Sequence, residues 1–341
     1  MRHARLIAEG VGCYHVVSRI VDRGFRLDDG EKEIFRKMMR RAEAFCGVRV
    51  LTYAVMSNHF HLLVEVPERV EIDEAELVRR MTILYGEART AETMRQWEAW
   101  RKTGAACLVE EQQNRLRARM YDLSAFVKTL KQRYSMSYNG RHGRKGTLWE
   151  DRFKSVLVEN VAGAKAAVAA YIDLNPVRAK IVSDPRDYRW SGYGEACGGG
   201  QQARRGLTAV HDSRWQEQSG GWRHVQNRYR VLLYAAGAEK RASGGDRIVR
   251  PGIAPQAVDH VLKTGGRLTL PQALRCRVRY FTDGLALGGK AFVDGVFERN
   301  RRLFGPRRRD GARKMRFADW GELRTARALR VDAVRMPIPS Q

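Results

Sequence analysis

The sequence has no long apolar run and no signal-peptide pattern, which argues against a membrane-spanning or secreted protein. Its five cysteines, Cys13, Cys46, Cys107, Cys197 and Cys276, are scattered and form no C-x-x-C pair, so neither a zinc finger nor a disulfide framework is indicated. A reducing cytoplasm, with association to the nucleoid, is the expected location. Acidic residues are also in short supply: 38 Asp and Glu face 63 Lys and Arg, for a formal charge of +25. Such an excess is costly in self-repulsion without a polyanionic partner. It is concentrated late in the chain, where residues 201–341 carry 29 Lys and Arg against 12 Asp and Glu. With 341 residues the chain is long enough for a sizeable core and two domains.

The most informative run is Leu51-Thr-Tyr-Ala-Val-Met-Ser-Asn-His-Phe-His-Leu-Leu-Val-Glu-Val66. Two apolar stretches flank Ser57-Asn58, which predicts a β-hairpin with His59 and His61 opening the second strand. Side chains alternate along a strand, so His59 and His61 share one face while Phe60 and Leu62 share the other. An H-x-H pair alone fits half of a divalent-metal site and two solvated histidines on an edge strand equally well.

A second constellation lies in Ala166-Ala-Val-Ala-Ala-Tyr-Ile-Asp-Leu-Asn-Pro-Val-Arg178. The alanines favour a helix, which Pro176 limits. Tyr171 and Asn175 are four apart and so share a helical face, and an Asn carbonyl oxygen is a neutral hard ligand for a metal begun by two histidines. A residue before proline avoids the α region, which puts Asn175 at the frayed end of the helix. A core tyrosine on an alanine-rich helix is the plain alternative.

Between and beyond these motifs the pattern alternates. Tyr14 to Ile20 predicts a strand, Gly30 to Cys46 an amphipathic helix, residues 71–134 a helical insertion and Gly146 to Val158 a return to strand. The order predicts an α+β fold with helices packed on one face of an antiparallel sheet. Gly198 to Gly206 is expected to be a flexible linker, separating residues 1–197 from a basic, mainly helical, DNA-binding region over 207–341. Within that region residues 222–240, Pro255 to Leu262, Leu270 to Phe281 and Lys290 to Phe304 are helical candidates. The last two fit a helix-turn-helix-like unit and a plain helical appendage equally. The tract Pro306 to Arg316 is expected to be mobile.

His59-Phe60-His61, Gly146-Thr-Leu-Trp-Glu-Asp-Arg-Phe-Lys-Ser155 and Tyr171-Ile-Asp-Leu-Asn-Pro-Val-Arg178 together resemble the HUH-type single-tyrosine transposases, and within them the REP-associated tyrosine transposases. The resemblance runs over roughly residues 10–195. It implies a ferredoxin-like (RRM-like) catalytic core, His59, His61 and Asn175 as ligands of Mg2+ or Mn2+, and Tyr171 as a nucleophile toward single-stranded or hairpin DNA. The implied reaction is nicking and rejoining through a covalent 5′-phosphotyrosine. A phenol of pKa about 10 is a weak nucleophile at neutral pH, and metal-bound phosphate compensates.

Lys128, Lys131, Arg133, Arg144, Lys145, Arg152 and Lys154 surround two further tyrosines, Tyr134 and Tyr138, and form a candidate DNA-holding stripe. Either tyrosine is a competing nucleophile on sequence grounds, and a solvated surface explains several of the basic residues as well. His15, in the first strand, reads as a satisfied core or sheet-face histidine. Two other functions stay open: a domesticated DNA-binding regulator without turnover, and a metal phosphoesterase that hydrolyses rather than rejoins. Monomer and homodimer are both compatible with the sequence.

Overall fold

Strand β1 (Gly12–Arg19) runs antiparallel between β3 (His59–Val66) and β4 (Lys154–Val158), and β2 (Arg49–Val55) pairs with the far edge of β3. The computed structural model describes residues 6–211, 221–234, 240–241, 248–250, 269–326 and 334–335. Helix α1 (Asp29–Cys46) joins β1 to β2; Asp28 caps its first turn by accepting from the Glu31 amide, and Gly47 ends it at φ 66°. Helices α2 (Glu74–Tyr85), α3 (Glu87–Lys102), α4 (Ala106–Arg117) and α5 (Leu123–Arg141) fill the expected insertion between β3 and β4. Helix α6 (Ala162–Asp173) follows β4.

The α+β class expected from the sequence holds, but the helices cover both faces of the sheet instead of one. Tyr14, Val16, Tyr53, Phe60, Leu62 and Val64 pack into a core shared with α1 and α5. Cys13, Ala54, Leu63, Val156 and Val158 face a second core built from α6 and helix α9 (Gln201–His211). Strands buried on both sides are expected to be apolar throughout rather than alternating, which is how Leu62–Val64 and, apart from Thr52, Val50–Val55 read.

The expected linker is also corrected. Gly199, at φ 100°, makes the turn after α8 (Gly192–Cys197), and from Gln201 the chain is helical. A Cβ on Gly206 would lie 2.5 Å from the Leu51 carbonyl oxygen, so this glycine lets α9 lie directly on β2. Helix α10 (Gly221–Tyr234) buries Tyr229 and Leu233 in the same core.

The C-terminal region departs further from expectation. Helix α10 lies where a helix was expected from residue 222, but beyond it the described helices are the short Leu270–Leu274 and Tyr280–Asp283, the longer Lys290–Arg299 and the 3-10 turn Arg301–Leu303. Between Tyr280–Asp283 and Lys290–Arg299, strand Ala286–Gly288 pairs in parallel with β4 and extends the main sheet, which continues through Arg324–Thr325 to Arg313–Lys314. A helix-turn-helix arrangement is therefore absent from these residues. The basic tract is folded back in part: Arg308 stacks over the rings of Phe304 and Phe297 at 4.8 and 5.6 Å. The helical candidate at Pro255 to Leu262 lies outside the described residues. No described helix is long and apolar enough to cross a membrane.

Because α9, α10 and the 270–326 segment complete the second core, a chain ending at residue 200 should not fold as a smaller soluble protein. Truncation there uncovers Leu51, Ala54, Val156 and Val158 and should give aggregation or loss of a cooperative melt by circular dichroism. A soluble fragment with a sharp transition would contradict this account.

Candidate active site

The Ser57–Asn58 turn of the β2–β3 hairpin is fixed from outside. The Asn58 backbone oxygen accepts from Ile20 N (2.8 Å), the Ser57 oxygen accepts from Leu27 N (2.9 Å), and Asn58 Nδ2 donates to the Arg23 carbonyl (2.9 Å). His59 then opens β3 as expected. In register, His59 lies opposite Arg19 and His61 opposite Val17, so both imidazoles share a sheet face with His15, Arg19 and Lys154. The two rings are 5.1 Å apart, His59 half-buried and His61 4% exposed.

Helix α6 brings Tyr171 onto this face. Its alanines keep α6 slim enough to be buried from Ala164 to Asp173. The helix is anchored by Asp173, whose carboxylate accepts from the Thr52 hydroxyl (2.9 and 3.0 Å), the Tyr193 amide (3.0 Å) and the Tyr229 hydroxyl (2.6 Å). Burial pushes the Asp173 carboxyl up to about 7 against the pull of these donors. The Tyr171 ring stands edge-on to His61 at 6.2 Å, to His15 at 6.1 Å and to Phe281 at 5.0 Å. Tyr171 is 3% exposed. The competing tyrosines lie elsewhere: Tyr134 and Tyr138 pack in the core on the opposite sheet face, and Tyr134 donates to Glu31 at 2.7 Å.

The other expected site residues distribute unevenly. Asn175 begins a short turn, α7 (Asn175–Arg178), and its Nδ2 donates to the carbonyls of Tyr171 (3.3 Å) and Ile172 (3.1 Å), which leaves Oδ1 as its acceptor atom. Of the seven basic residues Lys154 shares the histidine face, in an ion pair with Asp283 at 3.2 Å. Lys128, Lys131 and Arg133 lie on α5, in the layer on the other side of the sheet. Lys131 donates to the Asp151 carbonyl at 2.8 Å and sits over Trp149, and burial lowers its pKa to about 8. Arg133 sits over Tyr85 and Arg144 over Tyr138, while Lys145 and Arg152 are exposed.

Several residues at the site were not assigned from sequence. Arg178, seven residues and so two turns after Tyr171, lies over the Tyr171 ring at 4.0 Å. It donates to the carbonyls of Tyr171 (2.6 Å) and Leu274 (2.7 Å), clamping the end of α6 to the 270–274 helix. Their i, i+7 spacing was the available signal. His15, expected to be a structural histidine, is fully buried and within 2.9 Å of His61.

Electrostatically the pocket is a set of neutral imidazoles among arginines. Burial, then the charges of Arg19, Arg277 and Arg178, push His59 down to about 3. Burial lowers His15 to about 4, and burial with the neighbouring histidines holds His61 well below its ordinary range. Neutral imidazole is the form that ligates a metal. Among the described residues no three His, Cys, Asp or Glu side chains are grouped to hold an ion. The two neutral imidazoles of His59 and His61 are nitrogen donors of the kind a divalent cation accepts.

Residues 11–100 match the family model described as Transposase IS200 like, a class to which the motifs had already pointed. The match includes the histidine hairpin and stops short of Tyr171. Among solved structures the chain is similar to the REP associated tyrosine transposase bound to a REP hairpin, at 15% identity over 65% of this chain and 97% of that one, with a TM-score of 0.38. No curated protein matches the chain.

The Arg178 clamp can be tested directly. Arg178→Lys keeps the charge but not the two-pronged geometry, and should lower the unfolding free energy by about 1–2 kcal/mol, the worth of one or two charged hydrogen bonds. An unchanged denaturant midpoint would show that the clamp contributes nothing.

Proposed function

We propose that this protein is a metal-dependent endonuclease and strand-transferase acting on single-stranded DNA at hairpin or REP-like sequences, through a covalent 5′-phosphotyrosine. The observation that carries this reading is the meeting, on one sheet face, of two neutral imidazoles with a tyrosine 6.2 Å from one of them. The IS200-like family match over residues 11–100 supports a DNA-transposing chemistry. The net charge of +25 supports a polyanionic substrate.

His59 and His61, with Asn175 as third donor, would hold Mg2+ or Mn2+. Such an ion, when bound, polarises the scissile phosphoryl oxygen. The Tyr171 phenolic oxygen attacks the phosphorus in line. The new O–P bond forms as the bond to the 3′ oxygen breaks; the phenol gives up its proton, and the leaving oxygen takes one up as a free 3′-OH. Arg178, over the Tyr171 ring, and Arg19, opposite His59, supply positive charge beside the reacting phosphate. Attack by a 3′-OH on the phosphotyrosine reverses the step and frees Tyr171, so rejoining needs no ATP.

A DNA-binding regulator without turnover is the second reading. It is favoured by the burial of Tyr171 beneath Phe281 and Arg178, which leaves the phenol 3% exposed. Covalent capture separates the two. Incubation with a 3′-labelled single-stranded oligonucleotide carrying a hairpin, followed by peptide mapping, should find the adduct on Tyr171. It should vanish in Tyr171→Phe and persist in Tyr134→Phe. An adduct on Tyr134 or Tyr138 would overturn the assignment, and none at all would favour the regulator.

His61→Ala should slow cleavage by at least about 100-fold, equivalent to roughly 2.7 kcal/mol of barrier. Hairpin affinity should stay within a few-fold of wild type, because binding rests on many phosphate contacts. Cleavage by the variant at an undiminished rate in chelator would remove the metal from the mechanism.

A further inference from the structure

Burial and hydrogen-bond direction at the histidine pair fix more than its position. His15 is fully buried, with Nδ1 2.7 Å from the carbonyl oxygen of Phe281 and Nε2 2.9 Å from His61 Nδ1. A carbonyl oxygen only accepts, so the proton of a neutral His15 must sit on Nδ1. Its Nε2 is then a lone pair, and the contact to His61 requires His61 to carry its own proton on Nδ1. The bare nitrogen of His61 is therefore Nε2. The same logic holds at His59. Asn58 donates its amide nitrogen to the Arg23 carbonyl, so its Oδ1, 2.6 Å from His59 Nδ1, accepts a proton from the ring. His59 is likewise left with Nε2 bare.

We infer that His15 is a positioning residue that, anchored by the Phe281 carbonyl, locks His61 as the Nδ1–H tautomer and presents its Nε2 lone pair for a divalent cation. Asn58 performs the same service for His59. The inference deepens the metal-site reading proposed above and rests on it for the role of the bare nitrogens. It also gives the C-terminal segment a part in the site: the atom that sets the direction of the relay belongs to a residue 266 positions after His15. A ligand imidazole whose other nitrogen is already committed loses no alternative tautomer on binding, and such outer partners are commonly worth about 10–100-fold in metal affinity.

The test uses the full-length protein labelled with 15N-histidine at neutral pH. Without metal, long-range 1H–15N spectra should show His61 protonated at Nδ1 and bare at Nε2. His15→Phe keeps a ring of similar size but no acceptor, and should release His61 into a mixture of tautomers and weaken Mn2+ binding, read by electron paramagnetic resonance, about 10–100-fold. His15→Gln restores an acceptor oxygen and should bind Mn2+ within a few-fold of wild type. If His15→Phe fails to fold, the wild-type spectrum and the Gln variant still decide. A wild-type His61 protonated at Nε2, or His15→Phe binding Mn2+ as tightly as wild type, would overturn the relay. A wild type that shows the Nδ1–H tautomer but binds no Mn2+ would leave the relay standing and remove the metal-site reading instead.

Discussion

A strand covered on both faces cannot slip by one residue without exchanging everything it presents to its two neighbours. For β3 that exchange would drive His59 and His61 into the core beside Phe35 and Trp149, and turn Phe60 and Leu62 toward α6. Each imidazole stripped of its partner there costs about 1–3 kcal/mol, and the apolar side chains would lose their packing as well. Register is therefore held by two cores at once, and the pairing of His61 with Val17 and of Lys154 with Val17 follows from it. The site inherits its geometry from this constraint.

The second determinant is rotational. An alanine-rich helix has little side-chain relief to fix which way it faces, and α6 is buried along most of its length. Asp173 supplies the missing direction, since its carboxylate meets donors from β2, α8 and α10 together. A buried polar group so fully matched specifies one orientation where hydrophobic packing alone would tolerate several. With that orientation fixed, Tyr171 meets the histidines and Arg178 reaches back over its ring.

Local periodicity made much of this legible. The hairpin, the shared face of His59 and His61, the insertion helices and the alanine-rich helix are all short-range patterns, and each is found where the sequence put it. Relations between distant elements were not legible. No periodicity says that α6 covers the histidine face while α5, with Lys128, Lys131 and Arg133, covers the other. The strands after residue 285 are two or three residues long, too short to show alternation, so the region read as helical. Glycines near residue 200 carry the same letter whether they serve flexibility or, as at Gly206, close packing. His15 is the buried, satisfied histidine its place in the first strand suggests, but its partners, a second histidine and a backbone carbonyl, leave no mark near it in the sequence.

The hydrogen bond from His15 to Phe281 closes a loop of 266 residues. Contacts of such separation form late, because closure entropy is lost before they return any stabilisation. During synthesis the first strand and the histidine hairpin leave the ribosome long before the residue that orients them. A partly made chain can thus display the histidines and Tyr171 without the carbonyl that sets the relay or the ring that packs against the phenol. Order of emergence in this way separates possession of these side chains from their alignment, and the finished arrangement arrives only with the last third of the chain.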